Sequence, residues 1–459
     1  MTTPNGEVTP KGPARYIFPV IVQKPSAFAG HLGPLMTLVG VSNVAVPHET
    51  LPAVTAVDVA QQTTASATHR GRPVTSPRVL GGYVPEVDAL RCMAMTAVIG
   101  IHCGLLPIGW MGVWLFFVIS GFAVTTSLFS AKHDASGAWS RIGTFYARRA
   151  VRIWPIYFLF IAANVVAILL LGEYGTLRQV PWLLTFTQNI EMIIATYAPG
   201  TAWDGFGHLW TLSVEQQFYL VFPLLLFLPG RRSRSLMLLA MIAAAPLIRY
   251  LTARWAVGHG FDDVQTAFAV YAFGPAQFDA FAIGCLIAMF RHEIAHDKRI
   301  AVWAGALAAA ITLTYVTAYL IVNFAMIGHL SVGIMRNVLS GIAYGQGREI
   351  WGYFVPDALA GAALIGILAG EPHCLRACRL PGLQAIGRIS YGGYLYHLPV
   401  LMVLGGLVPA FSARVSGPAS YAAHILLFVC AYAITVGVAW LSFRFIERPI
   451  SNLARVKLG

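Results

Sequence analysis

The stretch GWMGVWLFFVISGFAVTTSLF (109–129) runs for 21 residues without an Asp, Glu, Lys or Arg. A transmembrane helix needs about 20 predominantly apolar residues to cross the hydrocarbon core of a bilayer. Similar runs recur along the chain, in which 57% of the residues are hydrophobic and only 11% are charged. Soluble domains carry about 25% charged residues. The composition therefore predicts an all-α, polytopic integral membrane helical bundle.

Ten apolar runs are candidate membrane spans, and the loops between them alternate in charge. Lys and Arg are concentrated before the first run and after every second run, which is the pattern of cytoplasmic loops. This pattern predicts about ten transmembrane helices with both termini in the cytoplasm. Gln188, Asn189 and Glu191 interrupt the stretch 180–197, which we expect to be interfacial or re-entrant. The predicted spans are 89–106, 112–130, 149–171, 208–228, 235–256, 267–290, 300–324, 355–370, 387–408 and 421–443.

Residues 1–81 differ in composition from the rest of the chain, because they are rich in Pro, Thr, Ser, Val and Gly. We expect a disordered amino-terminal extension there, a membrane domain over 82–450 and a short cytoplasmic tail over 451–459. The net charge of +12 would suggest nucleic acid in a soluble protein, but the basic loops of a membrane protein explain it better. The six cysteines show no metal-site spacing, so we expect no metal and no permanently bound cofactor.

The second span contains several small residues. Gly109, Gly112, Gly121 and Ser120 lie in a helix that is otherwise built from large apolar side chains. Small residues allow membrane helices to approach closely, so we expect this span to pack tightly against its neighbours.

The first span, ALRCMAMTAVIGIHCGLL (89–106), contains two ionisable side chains that are costly inside a membrane. Arg91 and His102 are eleven positions apart, so they share a helix face with about 16 Å of rise between them. Arg91 is expected near the cytoplasmic end and His102 deep in the outer half of the bilayer. The alternative is an arginine that snorkels to the interface and a histidine hydrogen-bonded within the bundle.

Three arginines crowd the predicted cytoplasmic end of the third span, which begins FYARRAVRIWPIYFL. Arg149 and Arg152 share a helix face because they are three positions apart, and Arg148 adds a third guanidinium. A fixed group of guanidinium forks is suited to bind phosphate. The alternative is an ordinary charge signal for membrane topology.

The fourth span, HLWTLSVEQQFYLVFPLLL, begins with a histidine that is followed by a carboxylate. His208 and Glu215 are seven positions apart, which is two helical turns, and we expect them on the same face. A histidine near a carboxylate is a frequent pair in general acid–base catalysis. A purely structural ion pair is the alternative.

Polar residues of later spans are candidates for binding the acceptor or supporting the site. Asp279 of the sixth span needs a positive partner if it is buried, and Arg91 is the candidate partner. The other candidates are Trp210 of the fourth span and Ser390, Tyr391, Tyr394 and His397 of the ninth.

Taken together, these segments resemble the membrane-bound acyltransferase family 3, whose bacterial members O-acylate lipopolysaccharide, exopolysaccharide, Nod factors, peptidoglycan or macrolides. The resemblance covers about residues 82–450 and depends on the order of the segments, since none of them is specific alone. The segments are VDALR with ten residues between Arg91 and His102, GVWLFFVISGF (112–122), RRAVRIWP (148–155), HLWTLSVEQQFY (208–219), ISYGGYLYHLPV (389–400) and FIERPI (445–450).

The resemblance implies transfer of an acyl group from cytoplasmic acyl-CoA to a hydroxyl of a cell-envelope or secreted carbohydrate, at the bacterial inner membrane. It implies that Arg91 and His102 are catalytic, that Glu215 supports the site, and that Arg149 and Arg152 receive the acyl-CoA. Acetyl is the expected group because it is the commonest small acyl group. Some family members carry a carboxy-terminal hydrolase-like domain, and we expect transfer here to be completed by the membrane domain or by a partner.

The expected mechanism follows from these roles. The arginine cluster of the third span holds the phosphates of acyl-CoA, and His102 acts as general base on the acceptor hydroxyl or relays the acyl group covalently. Arg91 orients the thioester or offsets developing negative charge. Glu215, with His208, positions the acceptor or tunes His102.

Two other classes of protein fit the same residues. A proton-coupled transporter also needs buried ionisable groups, but no inverted repeat relates the two halves of this chain. A scaffold for envelope assembly would tolerate alanine at both Arg91 and His102, whereas an enzyme would not.

Overall fold

The structure, a computed structural model, is helical and contains no strand in the residues that it describes. The predicted all-α class is therefore confirmed. The expected extension over 1–81 lies outside the described residues. Those residues are 83–129, 137–195, 205–380, 382–405 and 418–458.

Each of the ten predicted spans coincides with a helix or with helical segments joined end to end. Short 3₁₀ turns flank the helix of the fourth span, at Gly207–Leu209 and Phe222–Phe227. In chain order the helices are α1 (Pro85–His102), α2 (Met111–Phe129), α3 (Ala138–Leu171), α4 (Val180–Leu184), α5 (Gln188–Ile194), α6 (Trp210–Val221), α7 (Gly230–Gly258), α8 (Asp263–Ala272), α9 (Phe278–Met289), α10 (Arg291–His296), α11 (Lys298–Ile327), α12 (Val332–Asn337), α13 (Arg348–Trp351), α14 (Phe354–Leu368), α15 (Pro372–Cys378), α16 (Leu383–Arg388), α17 (Ser390–Gly405), α18 (Pro418–Ser442) and α19 (Arg448–Leu458).

Within the described ranges, six helical segments are long and apolar enough to cross a membrane, and α8 with α9 makes a seventh if the pair is one span. The α8–α9 pair is bent by 73° at its break. The other three predicted spans correspond to α1, α6 with its flanking turns, and α17, which are shorter or more polar. The stretch 180–197 contains only the short helices α4 and α5 over its described part. A polytopic membrane protein is confirmed, and the sidedness of its termini stays a prediction.

The helices differ in how much of their surface they bury. Trp114 and Val118 of α2 are fully buried, and α2 lies at the centre of the bundle. Trp303 and Leu313 of α11 are 73% and 68% exposed, although both are large and apolar. Lipid tails solvate such side chains as well as a protein interior does, so α11 is a peripheral, lipid-facing helix.

The crossing of α2 and α9 depends on two glycines. A Cβ atom at Gly121 would overlap the carbonyl oxygen of Phe281, and one at Gly284 would overlap the carbonyl oxygen of Val118. The two backbones therefore touch directly, which only glycine permits.

Two further glycines bring α2 against α1. A Cβ atom at Gly109 or Gly112 would overlap the carbonyl oxygen of Ala97 or Ala94. The close packing predicted for the glycines of the second span is confirmed, and it places α1 and α9 on either side of α2.

We expect Gly284→Ala to destabilise the bundle, because the added methyl group takes the position of a carbonyl oxygen of α2. Overpacking of this kind costs about 1–3 kcal/mol. The measurement is the fraction of monodisperse protein that survives heating in detergent. The control is Gly305→Ala on α11, where an added Cβ atom meets nothing within 4 Å. Equal losses in the two variants would contradict the direct backbone contact.

Candidate active site

A cavity of about 110 Å³ lies between α1, α2, α3, α6, α16 and α17. A single water molecule needs roughly 10–15 Å³ of such space, so the cavity admits part of an organic ligand. Its apolar wall comes mainly from α2. Its polar lining consists of Arg91, Ser120, Arg149, Arg152, Thr211, Glu215, Tyr219, Arg388, Ser390, Tyr391 and Tyr394.

The lining of this cavity carries a net positive charge, because several guanidinium groups face a single carboxylate, Glu215. Among the described residues, one of these arginines has an ion-pair partner, since Arg91 Nη1 lies 2.7 Å from Asp88 Oδ1. The others make no salt bridge with a described carboxylate. Guanidinium groups held in this way attract phosphate or carboxylate ligands. The arginines of the cavity are Arg91, Arg149, Arg152 and Arg388.

Helix α3 contributes two of the four arginines, as its sequence predicted. The guanidinium of Arg149 lies over the rings of Phe145 and Tyr219, at 5.8 and 5.6 Å from their centroids, and these contacts restrict its position. Arg148 is exposed and does not line the cavity. The third guanidinium without a carboxylate partner is instead Arg388, at the end of α16.

Glu215 is held in the cavity by two hydroxyl groups. Ser120 Oγ donates a hydrogen bond to Glu215 Oε1 at 2.5 Å, and the hydroxyl of Tyr219 donates to the same oxygen. The carboxylate therefore has a fixed position among the arginines.

The expected pairing of Glu215 with His208 is wrong. His208 lies in the 3₁₀ turn that precedes α6, so the periodicity of the α-helix does not extend back to it. Its Nε2 lies 3.0 Å from the carbonyl oxygen of Leu395 on α17, whereas Glu215 contacts Ser120 of α2. The two side chains serve different parts of the site.

Arg91 and His102 occupy the two ends of one helix, in the order that the sequence predicted. Arg91 lines the cavity and is fixed by Asp88, to which the hydroxyl of Tyr83 also donates a hydrogen bond. His102 is the last residue of α1 and is exposed outside the cavity. The expected catalytic pair is thus divided between the cavity and the far end of α1.

Three histidines form a row at this far end. The ring centroids of His102 and His397 are 5.3 Å apart, and those of His397 and His208 are 5.0 Å apart. His397 and His208 are 0% and 4% exposed, so His102 is the accessible end of what we call the histidine row. The His, Cys, Asp and Glu side chains of the described ranges form no cluster of three or more with metal-site spacing.

Tyr394 connects the cavity to the histidine row. Its hydroxyl lies 2.8 Å from Thr211 Oγ1 and donates to the carbonyl oxygen of His208 at 3.1 Å. Its ring centroid is 5.6 Å from that of His208 and 5.3 Å from that of His397. Tyr394 and Thr211 both line the cavity, so they form the wall between it and the histidines.

The remaining candidates from the sequence are divided between the lining and the core. Ser390 and Tyr391 line the cavity, and the hydroxyl of Tyr391 donates to the carbonyl oxygen of Ile153 at 3.0 Å. Trp210 does not line it: the indole is buried, with its ring centroid 4.9 Å from that of Tyr271.

Asp279 is also outside the cavity, and Arg91 is not its partner. Arg249 Nη2 lies 2.6 Å from Asp279 Oδ2, and both side chains are fully buried. Arg249 also donates to the carbonyl oxygens of Ala276 and Ile350. The correction has a simple cause: α7 packs against α9 and brings its own arginine to Asp279, while Arg91 is already paired on α1.

Several residues of the cavity were not recognised from the sequence. Asp88 and Tyr219 carried a local signal, because they lie three residues before Arg91 and four residues after Glu215, where helix neighbours meet. Ser120, Thr211 and Arg388 carried none, since their roles depend on contacts between helices distant in sequence.

Comparison with known proteins gives a consistent result. A family model described as an acyltransferase domain matches residues 84–444, a range that includes every candidate residue named above. Nodulation protein 10 of Rhizobium leguminosarum bv. viciae is 28% identical over 356 residues, which cover 74% of this chain and 82% of that protein. No solved structure matches.

Longer relatives match over part of their length. O-acetyltransferase OatA of Staphylococcus aureus is 25% identical over 401 residues, which cover 82% of this chain and 58% of that protein. Peptidoglycan O-acetyltransferase OatA of Listeria monocytogenes is 26% identical over 388 residues, which cover 80% and 56%. This chain thus spans a little over half of each OatA protein.

We expect Arg249→Met to destabilise the protein, because it leaves the buried carboxyl group of Asp279 without its cation. Breaking a buried ion pair from one side costs about 3–5 kcal/mol. The measurement is the thermal unfolding transition in nanodiscs. The control is Arg231→Met, which removes the exposed Arg231–Glu293 pair and should change stability little. A transition equally lowered in both variants would contradict the structural role of Arg249.

Proposed function

This chain belongs to the acyltransferase family whose model covers residues 84–444, and we propose that it moves an acyl group from cytoplasmic acyl-CoA to a hydroxyl of a cell-envelope or secreted carbohydrate. It is an acyltransferase embedded in the membrane by its apolar helices. The names of its relatives, O-acetyltransferase and peptidoglycan O-acetyltransferase, support an acetyl group and a carbohydrate acceptor. Family membership favours this enzyme over a proton-coupled transporter. We place it in the bacterial inner membrane.

The observation that supports acyl-CoA as donor is the set of guanidinium groups in the cavity without carboxylate partners. Arg149, Arg152 and Arg388 meet there from α3 and α16. Coenzyme A carries a diphosphate and a 3′-phosphate, and planar guanidinium forks bind such oxygens with two hydrogen bonds each. The basic end of α3 is also the end that the loop charges assign to the cytoplasm, where acyl-CoA is available.

The chemistry requires a hydroxyl group to attack the thioester carbon. The new C–O bond forms, the C–S bond breaks, and the proton of the hydroxyl is finally carried by the sulfur of coenzyme A. Arg91, which Asp88 holds in place, offsets the negative charge that develops on the carbonyl oxygen. His102 is the accessible base that takes the proton from the acceptor. Glu215, fixed by Ser120, orients the arginines around the donor.

We expect the double variant Arg149→Gln/Arg152→Gln to lose affinity for coenzyme A at least tenfold, because a charge-assisted hydrogen bond contributes about 1.5–3 kcal/mol. Titration calorimetry of protein in nanodiscs measures the affinity. Arg148→Gln is the matched control, since Arg148 is exposed on the same helix, and it should bind as wild type does. Pantetheine, which lacks the nucleotide phosphates, should bind the wild type and the double variant equally. Coenzyme A bound equally by all three proteins would contradict the proposed donor site.

We expect His102→Ala to abolish most acyl transfer without weakening coenzyme A binding, because His102 lies outside the cavity. General acid–base groups contribute about 10²–10⁴-fold to rate. The assay follows radiolabelled acetyl-CoA with purified protein and its slow hydrolysis where no acceptor is present. If the wild type consumes neither acetyl-CoA nor longer acyl-CoA donors, the acyl-CoA proposal is wrong.

A further inference from the structure

The two buried histidines of the row have defined hydrogen-bond donors. His397 Nδ1 lies 2.5 Å from the carbonyl oxygen of Tyr394, and His208 Nε2 lies 3.0 Å from the carbonyl oxygen of Leu395. A carbonyl oxygen only accepts hydrogen bonds, so each of these nitrogens carries a hydrogen. In the neutral ring, the lone pairs are then on His397 Nε2 and His208 Nδ1.

These two nitrogens are buried and have no hydrogen-bond partner among the described residues. A histidine that serves only to fill the core normally has both ring nitrogens satisfied, because a buried polar atom without a partner is destabilising. Two adjacent rings with one free acceptor nitrogen each are therefore not explained by packing alone.

The spacing of the rings suits a proton. A ring nitrogen lies about 1 Å from its centroid, so an N–H···N hydrogen bond of about 2.9 Å corresponds to centroids about 5 Å apart. The observed separations are 5.0 Å for His397 and His208 and 5.3 Å for His397 and His102. No described carboxylate lies within 4.0 Å of these rings. The other polar groups beside them are the hydroxyls of Tyr394 and Thr211.

The row also has the right ends. His102 is exposed, where an acceptor can reach it, and His208 is next to Tyr394 and Thr211, which line the arginine cavity. In the proposed reaction a proton leaves the acceptor hydroxyl at His102, and a proton must reach the sulfur of a coenzyme A bound in the cavity.

We propose that His397 and His208 are a buried proton relay between the acceptor and the leaving group. His102 removes the proton from the acceptor hydroxyl as the C–O bond forms. The proton passes to His397 Nε2 and is shared with His208 Nδ1. It then moves past the Tyr394 hydroxyl to the sulfur as the C–S bond breaks. No net charge is left on the histidines after one turnover. This inference rests on the proposed function.

Two substitutions remove the free nitrogens and keep the donors. In His397→Asn the amide nitrogen replaces Nδ1 as donor to the carbonyl oxygen of Tyr394, and in His208→Gln the amide nitrogen replaces Nε2 as donor to that of Leu395. The matched control is His424→Asn, because His424 Nδ1 makes the same kind of contact, 2.9 Å from the carbonyl oxygen of Cys103, outside the row.

We expect His397→Asn and His208→Gln each to lower acyl transfer by about 10²-fold or more, with unchanged coenzyme A affinity and thermal stability. Added imidazole should restore part of the lost rate, because it replaces the missing proton acceptor, and it should not accelerate the wild type. His424→Asn should transfer at the wild-type rate. The relay is overturned if either variant keeps a rate within threefold of wild type. It is also overturned if the loss is not restored by imidazole, or if the control loses as much.

A second readout does not depend on activity. Nitrogen NMR of protein labelled with ¹⁵N-histidine should show one buried ring protonated at Nδ1 and another at Nε2, and the His208 signals should shift in His397→Asn. If the wild type proves inactive with every acyl-CoA donor, the proposed function fails, and this spectrum still decides whether the two rings share a proton. Rings with the opposite tautomers, or His208 signals that ignore the substitution of His397, would overturn the relay.

Discussion

A guanidinium group inside a membrane bundle needs a counter-charge, and this requirement separates two kinds of arginine in the protein. Arg249 is fully buried and satisfied by Asp279 and two carbonyl oxygens, so it holds α7 and α9 together. Arg149 and Arg152 line a cavity without a carboxylate partner among the described residues. Charge that the protein itself does not neutralise is available to an anionic ligand, and the donor site depends on this difference.

The apolar packing keeps that cavity in place. Glycines let α2 touch α1 on one side and α9 on the other, so the wall opposite the arginines has little freedom to move. The same packing holds Ser120 beside Glu215. At the other end of the cavity, Tyr394 and Thr211 close the wall against the histidine row. Donor and acceptor groups can then be bound from opposite sides of the bundle and meet at this wall.

The sequence predicted the all-α membrane fold and its spans because apolar length and loop charge act locally along the chain. It also predicted the shared face of Arg149 and Arg152 and the opposite ends of Arg91 and His102, since both follow from helical periodicity. It failed where periodicity is interrupted, as at the 3₁₀ turn that carries His208, and where partners come from distant helices, as with Asp279. The row formed by His208, His397 and His102 needs three separate segments to meet, so no spacing in the sequence indicates it.

The central claim is that donor and acceptor reach the site from opposite faces of the membrane. The direct test uses proteoliposomes with the protein in one orientation, verified by labelling. Radiolabelled acetyl-CoA is supplied on one side only, and a carbohydrate acceptor is enclosed on the other. The account predicts labelled product only when acetyl-CoA is on the side of Arg149 and the acceptor is on the side of His102. Product formed only when acetyl-CoA is on the His102 side would contradict it.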